Sequence, residues 1–388
     1  MNILFLFEAP IKPTVGGVQR VTEVLTKEFQ RRGYNVYFLA YSYEYMMDYQ
    51  KFVAPQFYID AASLSKNDIQ FRLSEIINEN NINIVVSQNL QNNRILKLLP
   101  DGLKIVSVCH TQPFLCENIT RKHLKNIKAR NLKEKCFKLV SVCFPALYRK
   151  HMEVSEKRDT KTALQISDKV CYISSRFWDR IVRHVSSFPQ EKFVAINNPN
   201  TFSAVSDLSS IKKENLIIWV GRVNNENKNA IGFIRMWQLF QKKNPTWHTI
   251  IIGHGRDLEN NRNYVKRNNV QNIELIGRQD NVEDYYARAK FVVVTSWSES
   301  WCMSITEGMV FGCVPCVFGT YETVFDMITD GESGIITKPT EKDMAERLQY
   351  YVDNETQREQ LSRNAIEMVK HFDVSIIANQ WLNLFQGL

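Results

Sequence analysis

Phe291-Val292-Val293-Val294-Thr295-Ser296-Trp297-Ser298-Glu299-Ser300-Trp301-Cys302-Met303-Ser304-Ile305-Thr306-Glu307-Gly308-Met309 passes from an apolar run through a polar loop into helical spacing. Residues 291–295 read as a short strand, and the loop after them opens directly onto a helix. In open parallel sheets ligands bind beyond the carboxyl ends of the strands, which makes this loop a first place to look for function. With a helix starting near Cys302, its unpaired amides and positive end face the ligand side, Glu299 sits in the loop and Glu307 lies inside the helix. Two carboxylates so placed can hold sugar hydroxyls, whereas either one alone reads equally as an exposed surface acid.

Outward from this stretch the same alternation repeats. Apolar strands are expected at 216–220, 249–252, 273–276, 314–318 and 334–337, with helical patterns between them. Upstream, residues 3–7, 35–40, 82–87, 104–109, 169–174 and 192–196 form a second series, and Gly33 ends the helix that follows the first of these strands. Such alternation means crossovers and mostly parallel sheets. The polar stretch from Asn197 to Asn215 has the composition of a linker. The reading is α/β: two Rossmann-like parallel-sheet domains facing across a cleft, over 1–200 and 201–370, with a closing helix at 371–388. That helix carries Val374, Ile377, Trp381, Leu382 and Phe385 on one face and must dock somewhere the sequence does not disclose.

A chain of 388 residues, 44% apolar and 23% charged, suits two cores and excludes disorder, collagen and coiled coil. Its eight cysteines follow no framework spacing, as expected of a reducing compartment. Glu8 ends the first apolar run early, and no later run approaches the ~18 residues of a membrane span, so the expectation is a soluble cytoplasmic protein. The net charge of +8 is uneven: between residues 119 and 161 thirteen Lys or Arg face four acids, a local +9 that leaves the rest of the chain at −1. Leu124, Ile127, Leu132, Phe137, Leu139, Val140 and Phe144 are interleaved there. The stretch reads either as a solvated helix face or as a basic amphipathic element for an anionic membrane surface, peripheral on its cytoplasmic side. No nucleic-acid-binding motif accompanies it.

Three further places could carry chemistry. Gly16-Gly17 follows the first strand and opens a helix, where amides can approach an anion, although a tight turn needs the same residues. Gly221-Arg222 follows the strand at 216–220, with Lys228 six residues beyond Arg222 and Glu226 the one carboxylate between the two cations. Arg offers a fork of donors and Lys a mobile point charge, a plausible diphosphate clamp or a pair of solvated cations. His110 directly follows the strand at 104–109 and reads as a ligand-facing imidazole or a structural hydrogen-bonder. No metal-ligand spacing and no D-x-D triplet occurs, and Cys313-Val314-Pro315-Cys316 leads from a helix into a strand, as core packing does.

Glu299 and Glu307 reproduce the E-x(7)-E spacing of GT-B-fold retaining glycosyltransferases of the family-four type, also called glycosyl transferases group one. Gly16-Gly17 resembles the family's first glycine loop, and Gly221-Arg222 through Lys228 resembles its G-R-x(5)-K clamp. Gly253-His254-Gly255 is similar to its G-x-G turn, Leu275-Ile276-Gly277 to its L-x-G segment and Gly312-Cys313-Val314-Pro315 to its G-x-P step, with one extra residue. The resemblance implies that Arg222 and Lys228 bind the donor diphosphate, that Glu307 binds ribose hydroxyls, and that His110 and Glu299 face the transferred sugar. It places Gly16, Gly17, Gly221, Gly253, Ile276 and the backbone of Trp301, Cys302, Met303 and Ser304 around the donor.

The implied reaction needs no cofactor and no metal. A UDP- or GDP-linked sugar is the substrate, and a saccharide or lipid-linked sugar is the acceptor. Asn197-Asn198-Pro199-Asn200 stands where the family commonly has N-G-x-D, and asparagine tolerates the left-handed backbone of such a turn. Glu299-Ser300-Trp301 replaces E-G-F beside the donor, which bears on donor identity and not on the fold. An epimerase or hydrolase on the same fold, and a non-catalytic binding scaffold, are the alternatives. A dehydrogenase is disfavoured because no G-x-G-x-x-G follows the first strand.

Overall fold

The computed structural model describes residues 1–12, 16–42, 52–115, 132–185, 187, 189–203 and 212–388. The chain divides into two compact units, Met1–Asn197 together with Ile377–Leu388, and Asn198–Ile376. Residues 13–15 of the glycine loop, 119–131 of the basic stretch and 204–211 of the linker lie outside the described residues.

Among the described residues the first unit holds a seven-stranded sheet in the order β3-β2-β1-β4-β5-β6-β7. Its strands are β1 (Asn2–Phe7), β2 (Asn35–Ala40), β3 (Gln56–Tyr58), β4 (Ile84–Ser87), β5 (Lys104–Cys109), β6 (Lys169–Tyr172) and β7 (Phe193–Ala195), and neighbours run parallel. β1 is buried on both faces, as a central parallel strand must be. Leu4 and Leu6 join a core with Leu39, Val85 and the Leu73 and Ile77 side chains of helix α2 (Lys66–Glu79). Phe5 and Phe7 meet Phe38, with ring centroids 6.3 and 6.1 Å apart. Helix α1 (Gly17–Arg31) turns Val21, Leu25 and Phe29 inward, and Gly33, at φ +85°, ends it. Helices α3 (Leu132–Cys143) and α4 (Pro145–Ile166) precede β6.

The second unit holds a six-stranded parallel sheet in the order β10-β9-β8-β11-β12-β13 among the described residues. Its strands are β8 (Glu214–Val220), β9 (His248–Ile252), β10 (Ile273–Gly277), β11 (Ala289–Val294), β12 (Val314–Phe318) and β13 (Ile335–Thr337). An aromatic core of Trp219, Phe233, Trp237, Phe240, Trp247 and Phe291 packs helix α5 (Ala230–Gln241) onto it. Helix α6 (Met303–Val310) follows β11. Strand order reverses beside β8, between β9 and β11, and in the first sheet beside β1, between β2 and β4. Ligand crevices of open α/β sheets lie at such reversals, off the carboxyl ends of the strands. The chain bearing Arg222 and Lys228 leaves β8, and the loop bearing Glu299 leaves β11.

Several strand ends differ from the sequence expectation, each for a local reason. Ile82 is taken by the end of α2, its amide donating to Ile77, so β4 starts at Ile84. Ser174 caps a short turn by accepting from the Arg176 amide at 3.0 Å, which stops β6 at Tyr172. Thr295 turns its hydroxyl to the Asn229 carbonyl, ending β11 at Val294. The edge strand β3 has three half-buried residues and no apolar pattern to betray it. The closing helix, α7 (Val374–Gln386), buries Ile377, Trp381, Leu382 and Phe385, and Phe385 lies 6.1 Å from Phe29 of α1. Its docking site is thus the first unit. Among the described residues no helix is long and apolar enough to cross a membrane.

Candidate active site

The exits of β8, β9 and β10 are stitched to one another by backbone. Gly221 N donates to Ile252 O at 3.0 Å, Val223 N to His254 O at 3.1 Å and Gly253 N to Gly277 O at 2.8 Å. Gly253 has φ +143°, and a Cβ there would lie 1.8 Å from the Gly221 carbonyl oxygen; one on Gly255 would lie 2.2 Å from that of Val223. Both glycines are therefore demanded by close backbone approach. They support the chain that carries Arg222.

Beyond Arg222 the chain forms a tight polar loop. Asn224 Oδ1 accepts from the amides of Glu226 at 2.8 Å and Asn227 at 3.3 Å, and Asp257 accepts from the Asn225 amide at 2.8 Å. Asn229, left-handed at φ +53°, caps α5 by accepting from Gly232 N at 3.2 Å. Arg256 pairs with Glu226, so the carboxylate between the two cations is engaged elsewhere. Arg222 is exposed and pairs with no carboxylate among the described residues.

Lys228 is delivered onto Glu299. Its Nζ lies 2.5 Å from Glu299 Oε1, and Ser296 Oγ donates to the same oxygen at 2.6 Å. Burial works against the lysine's charge, but Glu299 outweighs it and holds the pKa above the usual lysine value, while the Arg222 charge opposes. The two loops are tied together: Trp297 N donates to Asn227 O at 2.8 Å, and Thr295 Oγ1 lies 2.9 Å from Asn229 O. Thr320 Oγ1 donates to Ser296 O at 2.7 Å. Glu299 is 8% exposed and carries no hydrogen bond on Oε2 among the described residues.

Helix α6 starts where the sequence places it. Cys302 is its N-cap and offers no side-chain cap, so the first-turn amides of Met303 and Ser304 have no partner within the helix. Burial pushes the Cys302 thiol up to about 11, and it remains protonated at neutral pH. Gly308 is forced by packing, since a Cβ there would lie 2.7 Å from a Val292 methyl. Glu307 is buried, with Oε1 accepting from Thr201 Oγ1 at 2.8 Å and Oε2 from Tyr286 OH at 3.0 Å. Asn200 Nδ2 donates to Thr306 O at 3.1 Å, so the turn after Pro199 braces the helix that bears this carboxylate. Trp301 turns its ring into the core against Phe372, 5.2 Å between centroids, which leaves its backbone and not its side chain to face a ligand. Ile276 is half-buried at the end of β10, its carbonyl accepting from Gln279 Nε2 at 3.2 Å.

His110, Gly16 and Gly17 belong to the first unit. His110 leaves β5 with Nε2 2.6 Å from Gln88 Oε1 at the end of β4, and burial lowers its pKa to about 4. The ring is neutral near pH 7, and its buried Nδ1 has no hydrogen-bond partner. Four residues on, Phe114 sits at φ +53° with its amide donating to Glu156 Oε1 at 2.6 Å. Gly16 caps α1 in an extended conformation, both glycines are exposed, and a Cβ on Gly16 would meet nothing. Cys313 and Cys316 are buried, and burial pushes both thiols up, as core packing requires.

The second unit thus collects Arg222, Lys228, Glu299 and the open amides of α6 at one topological switch, with Glu307 inside the same helix. Thr201, Tyr286 and Ser296 brace these groups, and in the first unit Gln88 braces His110, without any motif to announce them.

Residues 204–368 match the family model described as glycosyl transferases group 1. That match lies wholly within the second unit. Over 228 residues it is 27% identical to a Campylobacter jejuni alpha-1,4-N-acetyl-D-galactosaminyltransferase whose name includes a diphosphoundecaprenol-linked saccharide, covering 58% of this chain. The match spans 59% of that relative's own length, less than two thirds of it. The fold is also that of solved structures: WaaB, a lipopolysaccharide outer core galactosyltransferase, at TM-score 0.70 and 17% identity, and HepE of Anabaena in complex with UDP, at 0.74 and 14%. Both are covered over 100% of each chain, and both show that this chain has the GT-B fold.

Proposed function

We propose that the protein is a retaining, metal-independent glycosyltransferase that moves a hexosyl or related sugar from a UDP- or GDP-linked donor to an acceptor hydroxyl. The acceptor is a saccharide or lipid-linked sugar in polysaccharide or glycolipid biosynthesis, reached from the cytoplasmic face of a membrane. The observation that carries this reading is the unpaired Arg222 beside a Lys228 held on Glu299. A nucleoside diphosphate leaving group develops charge on its phosphate oxygens. Arg222, Lys228 and the Met303 and Ser304 amides are preorganised donors for it, each worth ~3 kcal/mol in such settings.

Glu299 receives both protein hydrogen bonds on Oε1, which leaves Oε2 for a hydroxyl of the transferred sugar. Glu307 is the ribose ligand in this reading. A His110 with a pKa of about 4 is a weak base near pH 7, which suits a sugar positioner whose Nδ1 accepts a hydroxyl hydrogen. The acceptor proton then passes to the departing phosphate, and no side chain is assigned as general base. HepE's complex with UDP and the Campylobacter relative's lipid-diphosphate name support the donor and acceptor classes.

Thermal unfolding with UDP, GDP, ADP and CDP, with and without EDTA, tests the reading. At about a hundred times its dissociation constant the right nucleotide stabilises the protein by ~2.7 kcal/mol. One base should raise the midpoint and keep doing so in EDTA. Silence from all four would remove the donor site.

A further inference from the structure

The loop that leaves β5 turns inward right after His110. Thr111 is exposed, but Gln112, Pro113 and Phe114 are buried, and the chain surfaces again at Leu115. Three ties hold it: the Cys109 thiol donates to Thr111 O at 3.3 Å, Arg180 Nη1 to Pro113 O at 3.4 Å, and the Phe114 amide to Glu156 Oε1 at 2.6 Å. The Phe114 ring also stacks on His184, 4.2 Å between centroids. Arg180 and His184 come from the short helix Trp178–His184 and Glu156 from α4, so two helices later in the chain fix the residues that follow His110.

The tie at Phe114 is the demanding one. Phe114 sits at φ +53°, a left-handed backbone that a bulky side chain adopts only where its surroundings impose it. A carboxylate accepting an amide at this distance is a short, charge-assisted bond, the strongest of the three. Glu156 is otherwise poorly placed for an acid. Burial raises its pKa, the Phe114 amide, His184 and Arg180 oppose, and Asp159 adds a smaller push upward. Tyr172 of β6 and Cys109 of β5 also feel its charge. Desolvating a carboxylate is costly, and an apolar side chain would fill the same space without holding the amide.

The consequence reaches His110. Its Nε2 is fixed by Gln88, its Nδ1 is buried, and burial lowers its pKa to about 4. A dry imidazole needs the chain around it to stay closed, and the segment directly after it is the loop that Glu156 ties down. We propose that Glu156 is a positioning residue for His110: by holding the Phe114 amide it keeps the loop shut, the imidazole dry and its orientation fixed. Glu156 acts through the loop and touches no substrate. This deepens the reading above and rests on it only for what His110 faces.

Histidine Cε1 resonances of the full chain, labelled with carbon-13 and with His110 assigned through His110→Gln, test it. In the wild type the His110 signal should stay flat from about pH 8 to about pH 5, because its pKa is about 4. Glu156→Met, close in size but without an acceptor oxygen, should open the loop and relieve the desolvation. The His110 pKa should then rise by at least about one unit toward the ordinary value of roughly 6.5, a tenfold or greater change in proton affinity, and the signal should titrate in this window. Glu156→Gln keeps an acceptor oxygen and should stay flat. Amide hydrogen exchange of the wild type, which does not depend on any variant folding, should find the Phe114 amide protected.

A His110 signal that stays flat in Glu156→Met while the melting point falls would make Glu156 merely structural and overturn the proposal. So would a Glu156→Gln signal that titrates as Glu156→Met does, or an unprotected Phe114 amide. The rise in melting point with nucleotide should be the same in both variants, and a variant that loses it also overturns the proposal. Its absence from the wild type would remove the transferase reading and leave the His110 titration to stand by itself.

Discussion

Arg222 and Glu307 are both named by motif, yet their surroundings give them opposite signatures under mutation. Arg222 is exposed and pairs with no acid among the described residues, so on the proposed reading Arg222→Ala removes a contact to the donor diphosphate and little else. The expected result is a loss in turnover of roughly a hundred- to a thousandfold, about 3 kcal/mol of transition-state stabilisation, with the melting point unmoved. Glu307→Ala instead strands the buried Tyr286 hydroxyl and Thr201, and should cost ~1–3 kcal/mol of stability as well as nucleotide affinity. Steady-state kinetics, calorimetric titration with the nucleoside diphosphate and thermal unfolding of both variants separate the cases. Near-normal turnover for Arg222→Ala would sink the clamp. At this scale the motif residues were legible in the sequence because their spacing is local. Thr201, 106 residues from Glu307, and Gln88, 22 residues from His110, were not, since nothing local foretells a contact made by folding.

Elements were legible wherever an apolar run met a turn signal, and the limits of that rule are physical. Strand ends moved where a cap or a helix end claimed the residue, as at Ser174 and Ile82. The basic stretch was readable as a helical element, but not that Leu139 and Val140 of α3 are exposed, because interleaved apolar and basic residues show that a helix has two faces and not which one the protein keeps. Glycines show the same gap. The family resemblance places Gly16 and Gly253 alike around a donor, yet of the two only Gly253 combines φ +143° with a Cβ position 1.8 Å from a carbonyl oxygen. Gly253→Ala is expected to destabilise the second unit by about 3 kcal/mol or more, through backbone strain and displacement of the β8 exit. Gly16→Ala should stay within ~0.5 kcal/mol of wild type, since its backbone is extended and the space is open. Chemical denaturation of the two variants decides this, and comparable losses in both would show that the stitching of β8 to β9 is not what Gly253 is for.

At the scale of the whole molecule, two separate cores mean two separable stabilities, and the closing helix belongs to the first. Ile377, Trp381, Leu382 and Phe385 are buried there, although the residues just before them close the second unit. The sequence showed an amphipathic tail but no partner for it, since the partner, Phe29 on α1, lies at the opposite end of the chain. Burying a large apolar side chain stabilises by about 1.5–3 kcal/mol, so four of them amount to ~6–12 kcal/mol, comparable with the whole stability of an ordinary domain. Truncation after Asp373 should therefore abolish the cooperative unfolding of the first unit. The second unit should still melt cooperatively, because Arg222, Lys228, Glu299, Glu307 and their bracing residues all lie within Asn198–Ile376. Scanning calorimetry should record that remaining transition, and the nucleotide that stabilises the full chain should still raise it. If the truncated protein kept both transitions, the helix would be an ornament of the fold; if it kept neither, the two cores would not be energetically independent.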